Sequence, residues 1–165
     1  MSQSERHQPE KVTGRTFLVV VDDTEEMRAA LRYACRRALH TGGRVALLRV
    51  VEPAEYQHFA LIGNLMEAEA RQEAEVLLQR LAADIYDLSG ELPVLYVREG
   101  VPRDQLLALI DEEPEISVLV LAAGTGSEGP GPLVSAMTGR YVNRLRVPVT
   151  IVPGQLSNEA IDALS

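Results

Sequence analysis

The chain has 165 residues, of which 46% are apolar, 24% charged and 4% aromatic, and its 24 acidic against 16 basic residues give a formal charge of −8. That size and composition describe one globular domain, large enough to fold without a disulfide or metal staple. A field of that sign repels phosphate backbones and anionic lipid, so nucleic acid and membrane surfaces are not expected as partners.

Counting residues excludes further chemistry. Cys35 is the single cysteine, so neither an intramolecular disulfide nor a thiolate zinc cluster can form. The histidines, His7, His40 and His58, lack metal-ligand spacing, and no metal is expected. Lys11 is the one lysine and lies in the polar N-terminal stretch. A GxxxxGK[ST] phosphate loop and a Schiff-base lysine are thereby absent from the body of the chain. Met1–Gly14 has no apolar signal-peptide core, and no run approaches the ~18 apolar residues of a membrane span. A cytoplasmic address is the expectation.

Residues 1–14 read as a flexible tail, 15–153 as one α/β domain, and 154–165 as a loose polar tail with room for a helical turn at Ala160–Leu164. The first apolar run, Phe17–Val21, reads as a buried strand. A helix follows over Thr24–Thr41, with Met27, Ala30, Leu31, Ala34, Cys35, Ala38 and Leu39 on one stripe and Arg28, Arg32 and Arg36 on a solvated face. Asp23 or Thr24 is the expected cap, Glu26 completing a capping box with Asp23, and Gly42-Gly43 the stop. Cys35 falls in the apolar stripe and reads as core.

The second strand is Val45–Val51 and the second helix Asn64–Leu88. Its stripe is Met66, Ala70, Ala74, Leu77, Leu81, Ile85 and Leu88, with Asn64 and Glu67 at the start and Ser89-Gly90 at the stop. Leu92–Val97 is the third strand. A third helix begins at Pro102 and ends before Pro114. Val118–Ala122 is the fourth strand, and a fourth helix spans Leu133–Leu145 with Val134, Met137, Tyr141 and Leu145 inward and Arg140 and Arg144 outward. Val149–Val152 is the fifth strand. Such alternation of apolar strands and amphipathic helices builds an open, Rossmann-like parallel sheet of five strands with helices on both faces.

Ligands of such sheets bind at the carboxyl ends of the strands, where the strand order reverses. Two segments suit that place. Val21-Asp22-Asp23-Thr24 leaves the first strand. Gly124–Pro132, with four glycines in nine residues, joins the fourth strand to its helix and permits close backbone approach to a ligand.

The segments FLVVVDDTEE, VALLRVVEP, EGVPRDQLLALI, VLVLAAGTG and RVPVTIVPG, in this order and over Arg15–Pro153, resemble the universal stress proteins. The resemblance implies sheet order 3-2-1-4-5, a homodimer, and in a subset of members ATP held between strands one and four. Asp22 matches the family's adenine-contacting aspartate, and Val50 its backbone contact, beside Arg49 where many members have His. The ATP-binding loop of that family reads G-x2-G-x9-G-[ST]. Here Gly124-Thr125-Gly126 is one residue short and Ser135-Ala136 stands where Gly-Ser is expected, leaving Gly124, Gly126, Gly131 and Ser135 as loop candidates. Pro130 and Pro132 remove two N–H donors and Glu128 adds negative charge. The resemblance therefore implies weak adenine-nucleotide binding at most, AMP-like ligands ahead of ATP, with no required cofactor.

The adjacent acids also suit a phosphorelay receiver, but the third strand ends Tyr96-Val97-Arg98-Glu99 without the acceptor aspartate, and no lysine follows the fifth. A hydrolase would need an activated nucleophile. Ser135 is not in a G-x-S-x-G elbow, and only His58 stands near a strand exit. A flavodoxin would need a hydroxyl-rich loop where this chain has acids. The leading expectation is a small stress-response or signalling protein that acts by binding, not as an enzyme; a weak nucleotide hydrolase or receiver-like domain is the alternative. The fifth strand, at a sheet edge, is expected to pair with its copy, with Val149 and Ile151 near the interface.

Overall fold

The computed structural model describes residues 14–53 and 60–165. Lys11 and His58 lie outside the described residues. The elements are β1 (Thr16–Val20), α1 (Met27–Thr41), β2 (Arg44–Val51), α2 (Ala60–Ser89), β3 (Val94–Glu99), α3 (Pro102–Glu112), β4 (Ile116–Ala123), α4 (Pro132–Thr138), a 3-10 turn (Val142–Arg144), β5 (Val149–Pro153) and α5 (Asn158–Leu164). All five strands are parallel, in the order β3-β2-β1-β4-β5. This is the expected order. It differs from the 2-1-3-4-5 order of the flavodoxin-like sheets to which receivers belong. Among the described residues no helix is long and apolar enough to cross a membrane.

The strands carry apolar residues on both faces because helices cover both. Phe17, Val19 and Val21 of the first strand and its exit, with Val45 and Leu47 of β2, pack against α1, α2 and α5. Leu18, Ala46, Leu48 and Leu119 face the opposite layer, built by Leu106, Leu109 and Ile110 of α3 and Val134 and Met137 of α4. Cys35 is fully buried in the α1 layer, as expected of a stripe residue, and burial pushes its thiol up to about 12. The β1–β4 register shifts between Thr16 and Phe17, which pair with Ile116 and Val118. Ser117 is the extra residue of this bulge, and its Oγ accepts the Thr16 N–H at 3.2 Å.

Several boundaries differ from those the sequence suggests. The first helix begins at Met27, not Thr24, and Glu26 at its N-cap makes no side-chain cap bond. Asp22 Oδ1 instead accepts the Thr24 N–H at 2.9 Å and also its hydroxyl, a local turn that holds residues 22–24 out of the helix. Asp23 is therefore no cap. The second helix spans Ala60–Ser89, so Asn64 lies inside it and not at its first turn. Along α2 the buried residues include Ala74, Leu78 and Ile85, whereas Met66 of the expected stripe is 46% exposed. Pro93, lacking an N–H, delays the third strand to Val94 and leaves Leu92 exposed.

The fourth helix stops at Thr138 because Gly139 leaves helical geometry, at φ −107° and ψ −112°. Tyr141 and Leu145 still pack on the same layer as Val134 and Met137. The segment after Pro153, expected to be loose, carries α5. Ser157 Oγ caps it by accepting the Ala160 N–H at 3.1 Å, and Ile161 is buried in the α1 layer. Arg32 and Arg36, expected to be solvated, both reach Asp162 of this helix.

Candidate functional site

Because β1 runs toward β2 on one side while β4 lies on its other side, the chain leaves β1 and β4 in opposite directions, and a crevice opens between them. Its volume is about 600 Å³. Val20, Val50, Leu121 and Ala122 form an apolar floor; Ala74 and Leu77 of α2 form one wall, and Pro130–Val134 with Pro102 the other. The rim is acidic, with Asp22, Asp23, Glu26, Glu52 and Glu73 against Arg49.

The end of β1 fixes the first rim residues. Val21 donates its N–H to Leu48 O at 2.8 Å, holding the strand exit against β2. Asp22 then turns through its Oδ1 bonds to Thr24, and its Oδ2 accepts no hydrogen bond among the described residues. Arg49 closes the neighbouring corner. Its Nη1 donates to Val21 O at 3.2 Å, and its Nη2 lies 3.3 and 3.2 Å from the two oxygens of Asp23. The cation is thus already paired within the rim.

The backbone of β2 supplies donors and acceptors. Leu48 O points toward β1, whereas Val51 O points toward β3 and accepts the Gly100 N–H at 3.0 Å. Val50, two residues after Leu48, has the same orientation as Leu48. The β1–β2 register ends at Val20–Leu48. The Val50 amide and carbonyl therefore face the crevice beyond the end of the ladder.

The glycine-rich loop closes on itself. Gly124 donates its N–H to Pro130 O at 2.9 Å and Gly129 donates to Gly126 O at 3.2 Å. Gly129 and Gly131 hold φ of +88° and +107°, which favours glycine at both positions. Glu26 is lodged beside this loop. A Cβ at Gly124 would come 3.0 Å from Glu26 Oε1, and one at Gly154 would come 2.3 Å from Glu26 Cβ.

Of the residues singled out in the sequence, Asp22, Val50 and Gly131 line the crevice together. Gly124, Gly126 and Ser135 lie outside its lining. The Gly124 amide is taken by Pro130, and Ser135 is exposed on α4 with its N–H donated to Gly131 O at 3.0 Å. Val149 and Ile151 are half-buried on β5, which has a strand neighbour on one side only among the described residues.

The sequence reading missed Glu26 and Glu73 as rim residues and placed Ala74 and Leu77 solely in the core. A length comparison could have flagged α2. Its 30 residues extend about 45 Å, against about 26 Å for the eight residues of β2. A helix that long overhangs the strand ends.

Fold and crevice define a doubly wound α/β protein with a cleft where the strand order reverses. More narrowly, the chain belongs to the universal stress protein family, whose profile matches residues 14–153. The structure is similar to that of the universal stress protein UspA from Lactobacillus plantarum, at TM-score 0.70 and 20% identity, covering 85% of this chain and 98% of that one. It is also similar to a universal stress protein from Archaeoglobus fulgidus in complex with dAMP, at TM-score 0.58 and 19% identity over 84% of this chain and 97% of that one. A third relative is an AMP-bound family protein from Arabidopsis thaliana, at TM-score 0.59 and 13% identity over 88% and 94% of the respective chains. At these identities the likeness shows the fold. No curated protein sequence matches the chain.

Proposed function

We propose that this protein acts by holding a small adenine ligand in the β1–β4 crevice and by pairing with a second copy through β5, without turning the ligand over. One observation carries the reading: Asp22 Oδ2 and the outward-facing backbone of Val50 flank an apolar floor of Val20, Val50 and Leu121. A planar adenine can lie on that floor, donate from its amino group to Asp22 and meet the Val50 amide with a ring nitrogen. Structural relatives in complex with dAMP and with AMP support the same ligand class.

Several features favour binding over catalysis. Ser135 stands outside the crevice. His40, the one histidine among the described residues, lies at the far end of α1 with Nδ1 2.9 Å from Ser165 O. A cytoplasmic address belongs to the same proposal and is supported by the single buried thiol. Pairing through β5 is supported by its edge position and its half-buried Val149 and Ile151.

Titration calorimetry with AMP tests the ligand. The expected dissociation constant lies roughly between micromolar and millimolar. Asp22→Ala should weaken it about tenfold, the loss of one charge-assisted hydrogen bond. Unchanged affinity in that variant would remove Asp22 from the site. Light scattering should give a dimer at micromolar protein and a monomer for Ile151→Glu.

A further inference from the structure

We infer that the crevice selects against phosphate, so that its preferred ligand is an uncharged adenine nucleoside rather than a nucleotide. This deepens the adenine reading above and rests on it. The base end and the phosphate end of the crevice are built differently. At the base end, Asp22 Oδ2 and the Val50 backbone present both an acceptor and a donor. At the other end the loop that would cradle a phosphate has turned two of its donors inward and lost two more. The Gly124 amide is bound to Pro130 O, the Gly129 amide to Gly126 O, and Pro130 and Pro132 have no N–H.

A carboxylate of the rim, Glu26, stands beside this loop. Glu26 Oε1 lies against Gly124, 3.0 Å from the position of an added Cβ. Its place is fixed by packing, since Glu26 Cβ lies so close to Gly154 that a Cβ there would approach it to 2.3 Å. Glu73 of α2 adds a second carboxylate to the lining of the crevice. Arg49, the cation of the lining, already pairs with Asp23 at 3.2 Å and does not balance them. A phosphate entering the crevice exchanges water for carboxylates without gaining an unpaired cation among the described residues. At separations of several ångströms each like-charge pair disfavours it by a factor of several. The ribose, with hydroxyl donors, meets the same carboxylates favourably.

The test is competition-free calorimetry of adenosine, AMP and ATP at low salt with EDTA present. Adenosine should bind most tightly, AMP about tenfold and ATP about a hundredfold more weakly. Raising the salt should narrow the gap, because screening acts on the repulsion and not on the neutral ligand. Glu26→Gln should raise the ratio of AMP to adenosine affinity about fivefold. Glu73→Gln, on an exposed face of α2, should move that ratio in the same direction if the first variant disturbs packing at Gly154. AMP or ATP binding as tightly as adenosine, or a ratio indifferent to salt and to both variants, would overturn the selectivity while leaving the adenine reading in place. No binding by any of the three would overturn both.

Discussion

Arg32 of α1 grips Asp162 of α5 through two parallel hydrogen bonds, Nε to Oδ1 at 2.8 Å and Nη2 to Oδ2 at 2.7 Å. Arg36 adds a third approach, with Nε 3.6 Å from Oδ1. Together with buried Ile161, this clamp ties the C-terminal helix to the body of the domain. The hydrogen bonds from Arg32, and then its charge and that of Arg36, hold the Asp162 carboxyl below its usual range in spite of partial desolvation. A depressed folded-state value stabilises the fold above the unfolded aspartate pKa of about 4, and the benefit is lost as pH falls through the folded value. Asp162→Asn should therefore flatten the loss of stability on acidification below about pH 4, followed by chemical denaturation at stepped pH. An unaltered acid slope would show that the clamp does not couple to folding.

Cys35 gives a second test. Burial lifts its thiol to about 12, and the side chain has no exposed surface. At pH 8 only about one thiol in ten thousand is ionised at that value, so a disulfide reagent should label native protein at least a hundredfold more slowly than protein in denaturant. Rapid native labelling would mean that the α1 layer opens readily.

The second helix gives a third. Leu78 is fully buried and Met66 is 46% exposed, although both carry large apolar side chains. Leu78→Ala should cost about 2–5 kcal/mol in urea denaturation, the range for a buried leucine truncated in a packed core. Met66→Ala should cost less than about 0.5 kcal/mol, as at the surface. Equal losses would contradict the orientation of α2.

The acidic pair gives a fourth. Asp23 makes an exposed ion pair with Arg49, its side chain 85% accessible, and caps nothing. Asp23→Ala should change stability by less than about 0.5 kcal/mol. A helix cap in its place would cost about 1 kcal/mol. Thermal or urea unfolding separates the two readings.

How far the sequence exposes this architecture depends on what each residue's environment dictates. Phe17–Val21 and Val45–Val51 read as strands because their burial on both faces forces continuous apolar runs. The sheet order came through the resemblance, since periodicity alone does not rank strands across a sheet. Periodicity also located the stripe of α2, with the fully buried Ile85 in it, but not Leu78, because Leu77 and Leu78 differ by one residue and the helix's tilt on the sheet decides between them. Ser157–Ser165 is too short to show more of a helical period than the turn read at Ala160–Leu164, and its Asp162 bonds Arg32, more than a hundred residues away in the chain. At the crevice, Asp22 was legible as a residue at a strand exit, and Val50 only through the resemblance. Glu26 was not: a glutamate after two aspartates reads as half of a capping box, and only the close approach of Gly124 and Gly154 assigns it another place.

The bulge at Ser117 has a consequence for how relatives of this chain are compared. Ile116 lies in the α3 layer with Leu119 and Leu121, while Val118 and Ala122 pack on the opposite layer. An uninterrupted strand would put Ile116 on the same side as Val118, because side chains alternate with a period of two. The extra residue shifts the phase, so the apolar pattern before it is out of step with the pattern after it. A relative whose fourth strand runs straight should thus align to this one only with a gap at Ser117, and forcing the two into continuous correspondence would exchange inner for outer positions at the strand's start.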